Sequence, residues 1–246
     1  MKDSWTELNS FMLTHNFWHL GLYHISLGAY DKVLALYDQH VWGVWKEYSQ
    51  DQIGAVSLLM RLELVGVDVD DRWSEVGHYL KARANDLVQP FLTMQYLYGL
   101  ARAGLPEADE LMRHVREHAA QAPSFVREAW ADVALPACEE LLAHARGDAE
   151  ACVRKLGAAM PPLLEIGGSH AQRDLFDQVL LDATIRSGRL VAAHAGAAPT
   201  MGAERRAAQQ GAGERVSGPR PAARGRPRSR ARQARDGGAR LGHFEQ

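Results

Sequence analysis

Residues 17–40 read FWHLGLYHISLGAYDKVLALYDQH, and the glycine in the middle, Gly28, decides the fold. After it, Tyr30, Val33, Leu34 and Tyr37 recur three and four residues apart, which aligns them as one apolar stripe of a helix. Before it, His15, Trp18, His19 and Leu22 share a helical face by the same spacing. A glycine just past a helix end supplies the left-handed backbone that closes the helix. The stretch is therefore predicted to form a helix-turn-helix hairpin, with helices over about 14–27 and 30–40.

The signal recurs. Gly28, Gly66, Gly104, Gly147 and Gly188 lie 38, 38, 43 and 41 residues apart, each between two apolar stretches of helical length. A period in this range means stacked repeats. The second hairpin pairs 52–65 with 72–84 around GVDVDD, where Asp70 or Asp71 suits an N-cap because its carboxylate can accept free amide hydrogens. The third pairs 87–103 with 106–120 and carries Pro106 in its first turn, where the missing N–H costs nothing. The fourth pairs a helix ending near Arg146 with 148–160, stopped by Pro161-Pro162. The fifth opens after Gly167-Gly168-Ser169 and leads into a last helix at Arg189 that loses its pattern within a few residues. Leu20-Gly21 and Gly28-x-Tyr30 resemble the tetratricopeptide signature. The expected fold is all-α, a right-handed α-solenoid of about five tetratricopeptide-like hairpins over residues 1–195.

Composition divides the 246 residues in two. From Gly196 onward there are 11 arginines, no lysine and 4 acids, a charge of +7, so residues 1–195 carry −9 of the overall −2. The C-terminal part is rich in Gly, Ala and Pro and poor in large apolar side chains. It cannot bury enough surface to offset chain entropy, and disorder is expected over 196–246. The abrupt change matches a GC-rich gene read in a shifted frame, with the shift near 191–196. Eleven guanidinium groups could attract nucleic acid only through its phosphates, because no aromatics are interleaved for base stacking, and nucleic acid is not the expected partner. No apolar run reaches a membrane-spanning length, and MKDSWTELNS has neither the basic nor the apolar part of a signal peptide, so a cytoplasmic protein is expected. Cys138 and Cys152 form no framework or metal-ligand run and are expected to be packing residues.

The strings THNFWHLGLYHISLGAYDKVLALYDQHVW and EIGGSHAQRDLFDQVLLDATIRSGR resemble the tetratricopeptide repeat protein 38 family, over about 5–190. The resemblance implies a match to the C-terminal half of such proteins, with Met1 expected to be an internal start. It implies a long helical array and no established catalytic chemistry. It also implies that the leading helix of each hairpin lines a concave groove. Aligned on the turn glycines, His15, Trp18, His19, Leu22 and Ile25 come from the first unit and Phe91, Met94, Gln95, Tyr98 and Arg102 from the third.

The expected function is a non-catalytic scaffold holding a peptide or protein segment, with Trp18 as apolar anchor and His15, His19, Gln95, Tyr98 and Arg102 as polar contacts. Packing of Trp18 between neighbouring helices is the competing reading. A second candidate is the turn before the fifth hairpin: two glycines, Ser169 as N-cap, and His170 and Arg173 adding positive charge at a helix N-terminus suited to a carboxylate. The alternative is structural, with the glycines turning the chain and Arg173 pairing locally. Ser169 and His170 point in different directions as helix neighbours and make no nucleophile-base pair. His15 and His19 have the i, i+4 spacing of a metal pair, and a metal-binding protein or enzyme is the alternative function. No Glu stands between them as in the His-Glu-x-x-His zinc protease motif, and no cofactor is expected.

Overall fold

The computed structural model describes residues 5, 8–156 and 166–189, which are helical with no strand among them. The helices are α1 (Ser10–Ser26), α2 (Tyr30–Leu36), α3 (Ser49–Leu64), α4 (Arg72–Leu80), α5 (Pro90–Arg102), α6 (Glu107–Gln121), α7 (Ser124–Arg127), α8 (Leu135–Ala145), α9 (Ala149–Leu156) and α10 (His170–Arg186). A wide π-helical stretch, Glu128–Ala134, joins α7 and α8 into one rod, so about nine rods pack together. Pro136 accounts for the widening: it lacks an N–H, and its ring would strike the carbonyl one turn back in a regular helix.

All five spaced glycines are left-handed, with φ of 68° at Gly28, 81° at Gly66, 68° at Gly104, 80° at Gly147 and 74° at Gly188. Each closes its helix with the same bond pair. The glycine N–H reaches the carbonyl three residues back, and the next N–H reaches the carbonyl five residues back in every case: Ala29 to His24, Val67 to Leu62, Leu105 to Leu100, Asp148 to Ala143 and Arg189 to Thr184. This is the Schellman closure, which satisfies two carbonyls that the helix end would leave free. The repeat read from the sequence is thus one hydrogen-bonded device used five times.

The leading helices meet in order, α1 on α3, α3 on α5 and α5 on α8, while α2, α4, α6 and α9 pack back on their own leaders. The middle of the assembly is α5, in which every residue from Pro90 to Leu100 is buried. Gly99 on α5 lets the helices approach: a Cβ there would stand 2.4 Å from Leu80 Cδ1 and 3.0 Å from Val56 Cγ2. Leu58, Leu59, Met60 and Leu62 of α3 and Met94, Leu97 and Leu100 of α5 form the heart of the core.

Two details depart from the sequence expectation. Asp71 stands at the N-cap of α4 but its carboxylate makes no capping bond. The acids of that turn are engaged elsewhere, with Asp68 Oδ1 accepting the Asp70 N–H at 2.9 Å and Asp70 facing Arg72. The second departure is the course of α10. It packs on α9, yet it also reaches α3, which leads a hairpin well upstream. The proline stop at 161–162, the last helix from Arg189, the proposed shift near 191–196 and the tail from 196 lie outside the described residues. Among the described residues no helix is long and apolar enough to cross a membrane. Cys138 and Cys152 are free thiols in packed surroundings, both held well above the usual thiol range by burial, Cys152 to about 12.

Candidate functional site

Phe91, Gln95, Tyr98 and Arg102 fall three or four apart and share one face of α5. At its Phe91 end that face is met by α10 and the turn before it. Phe176 meets the Phe91 ring edge to face at 6.1 Å between centroids. Gly168, left-handed at φ 78°, lies so close to Phe91 that a Cβ would stand 3.0 Å from the ring. The helix is anchored by Arg61 of α3, whose guanidinium donates to the Ala171 carbonyl at 2.6 Å and to Asp174 at 3.3 Å. Burial pulls the Arg61 pKa down and Asp174 pulls it back up. Two spaces remain along this face of α5, one at each end of its polar residues.

The first is a cavity of about 20 Å³ bordered by Thr14, His15, Trp18, Asp51, Ser57, Phe91, Gln95 and Gln172, among others. It gathers residues from α1, α3, α5 and α10, including four that the sequence placed on the groove, His15, Trp18, Phe91 and Gln95. Trp18 is 2% exposed and Gln95 1% exposed, so both belong to the interior. His15 is half-buried and stacks between Phe11 and Trp18, with centroids 5.2 and 5.5 Å away. Asp51 accepts from the Thr14 hydroxyl at 2.8 Å, and burial raises its carboxyl above the usual range against that bond.

His19 lies outside this space and is exposed, its Nε2 3.1 Å from His15 Nε2. One ring must donate and the other accept, so at least one of the two is neutral. Partial burial lowers the pKa of both, and at His15 the neighbouring His19 adds to it. Among the described residues no group of three or more His, Cys, Asp or Glu side chains is placed to hold a metal ion.

The second space is an open polar cleft of about 390 Å³ at the glycine end of the hairpins, lined by Glu63, Gly66, Asp68, Tyr98, Arg102, His144, Gly147, Asp182 and Arg186 with their neighbours. Its floor is a chain of hydrogen bonds. His144 Nε2 lies 2.8 Å from Asp182, and His144 Nδ1 lies 3.1 Å from the Tyr98 hydroxyl. The carboxylate fixes the tautomer: Nε2–H donates to Asp182, which leaves Nδ1 to accept the phenol proton. Burial pushes the Tyr98 phenol well above its ordinary value and pulls the His144 imidazole below its own, Asp182 opposing the latter. Both rings are therefore uncharged at neutral pH. Arg102 makes a paired contact with Glu63, Nε at 3.0 Å from Oε2 and Nη2 to Oε1, and donates to the Ala145 carbonyl at 3.3 Å. That pairing raises its pKa further.

The GGSHAQR turn is closed on itself. Gln172 Oε1 accepts the Ser169 N–H at 2.8 Å, completing a capping box. Arg173 donates to the carbonyls of Gly167 and Gly168 rather than turning toward His170. His170 is exposed and borders a third cleft of about 470 Å³, with Arg61, Asp174 and residues of α1. The arrangement does not bring His170 and Arg173 to one anion.

His144, Asp182, Glu63 and Arg61 carry much of the site and were not singled out from the sequence. Arg61 had a signal: it is the one charge within the apolar run from Ile53 to Leu62. A charge there needs partners that water does not supply. Asp182 stands six residues before Gly188, as Tyr98 does before Gly104, so alignment on the glycines puts the two at equivalent positions. No protein-family model matches the chain, and no solved structure matches it.

Proposed function

We propose that residues 1–195 form a right-handed tetratricopeptide-like solenoid, akin to the C-terminal half of the tetratricopeptide repeat protein 38 family, that binds a peptide or protein segment without catalysis. The observation that supports this reading best is the five-fold use of one glycine closure, with the leading helices touching in chain order. Such arrays offer the faces of their leading helices to a partner. Here α10 packs against the leading helices α3 and α8, and the partner enters at the polar cleft, where Tyr98, Arg102, His144, Asp182 and Arg186 meet.

A volume of about 390 Å³ suits a side chain or a chain terminus. The cleft offers exposed charge of both signs, Asp68 and Arg186, at its edge. Turnover is not favoured by the chemistry of its floor. Tyr98, His144 and Asp182 are joined in one hydrogen-bonded chain, with Arg186 also on Asp182, and the phenol is too weak an acid at neutral pH to act as a nucleophile.

A photo-crosslinking amino acid placed at Asp68 tests this reading, with the same group at Glu110, an exposed residue of α6, as control. One defined partner captured from Asp68 alone supports it. Equal capture at both positions, or at neither, contradicts it.

A further inference from the structure

Four buried polar atoms without a hydrogen-bond partner among the described residues belong to three side chains around a single cavity. They are Trp18 Nε1 on α1, Ser57 Oγ on α3, and Nε2 and Oε1 of Gln95 on α5. The three residues are 2, 3 and 1% exposed. Buried polar groups in folded proteins are satisfied with few exceptions, so this concentration calls for an occupant. Of the other walls, Phe91, Ile53 and Val41 offer no hydrogen bond, while Thr14, His15, Gln50, Asp51 and Gln172 are polar.

The cavity measures about 20 Å³. An internal water needs roughly 10–15 Å³ on this scale and two to four polar partners. Anything much larger is excluded by size, and an apolar occupant would leave all four atoms unsatisfied. The available groups also match the two-sided chemistry of water: an indole donor, a hydroxyl that donates or accepts, and a carboxamide that offers one of each.

We propose that this cavity is a built site for one ordered water molecule that joins α1, α3 and α5. The water accepts from Trp18 Nε1–H and bonds to Ser57 Oγ and to one end of the Gln95 carboxamide. Three bonds are the usual complement of an internal water. Trp18 then serves as a donor to an interior water, independently of any partner in the polar cleft. Ser57 and Gln95 each stand nine residues before their hairpin glycine, so the repeat itself sets the two polar groups side by side.

The test uses Gln95→Met and Ser57→Ala, singly and together, in the full chain. Gln95→Met keeps the length of the side chain and removes its polar atoms. With a bound water, each single change lowers the melting temperature by roughly 2–4 °C, and the double variant falls by less than the sum, since the same water is lost once. With a dry cavity, Gln95→Met removes two unsatisfied atoms and raises the melting temperature, which overturns the proposal. Wild-type protein with labelled indole nitrogens gives an independent reading, the Trp18 signal being assigned by its loss in Trp18→Phe. A magnetisation-transfer peak from a long-lived water to the Trp18 indole proton supports the site. If a variant fails to fold, the absence of that peak in the wild type overturns it.

Discussion

The imidazole of His144 bridges α8 to α10 through a 2.8 Å bond from Nε2 to Asp182, while its other nitrogen lies 3.1 Å from the Tyr98 hydroxyl of α5. Burial lowers the His144 pKa in the fold, whereas an unfolded histidine titrates near about 6.5. Between these two values the unfolded chain holds the extra proton, so stability falls as pH drops below about 6.5 and stops falling once the folded-state pKa is passed. His15 and His19 act with the same sign, and Asp51, whose carboxyl is raised by burial, acts against them. Melting temperatures between pH 7 and pH 5 should fall for the wild type and fall less steeply for His144→Gln. Equal slopes would remove His144 from the account.

The glycine closures lead to a paired expectation. At Gly104 a Cβ would meet nothing within 4 Å, but φ is 68°, so Gly104→Ala costs only the left-handed backbone, about 1–2 kcal/mol. At Gly99 the backbone is helical and alanine is intrinsically better, yet its Cβ would press on Leu80 at 2.4 Å. Overpacking of this kind costs about 1–3 kcal/mol. Urea unfolding should show both variants destabilised, with Gly104→Asn closer to wild type than Gly104→Ala, because asparagine tolerates the left-handed region.

Arg61 and Asp174 hold α10 against α3. The Arg61 side chain is 5% exposed and that of Asp174 is 45% exposed. Asp174→Ala leaves a buried guanidinium with the Ala171 carbonyl and no counter-charge, at a cost of about 1–2 kcal/mol after allowance for the exposed side of the pair. Hydrogen exchange should quicken in α10 while α5 and α6 keep their protection. Uniform quickening along the chain would mean that α10 is as integral as the central helices.

The hairpins were legible in the sequence because their closure needs a conformation that glycine adopts at little cost, and steps of 38 to 43 residues repeat its place. The helix starts were less so. Asn9 caps α1, its side chain accepting the Met12 N–H at 2.9 Å, several residues ahead of where apolar periodicity begins. The course of α10 depends on Arg61 meeting Asp174 across 113 residues, and on Gly168 meeting Phe91, neither of which leaves a local pattern. The shared register of Gln95, Tyr98 and Arg102 on α5 was readable, whereas the coupling of Tyr98 to His144 and Asp182 required three hairpins to be placed together.

The central claim is that partner binding passes through the polar cleft. Arg186 stands at its exposed edge, its side chain half exposed and 3.4 Å from Asp182. Affinity capture from lysate with the full chain and with Arg186→Glu, at matched melting temperature, tests this most directly. Selective loss of one captured protein in the variant, with that protein then binding the purified wild-type chain, is the predicted result. An unchanged set of captured proteins would contradict it.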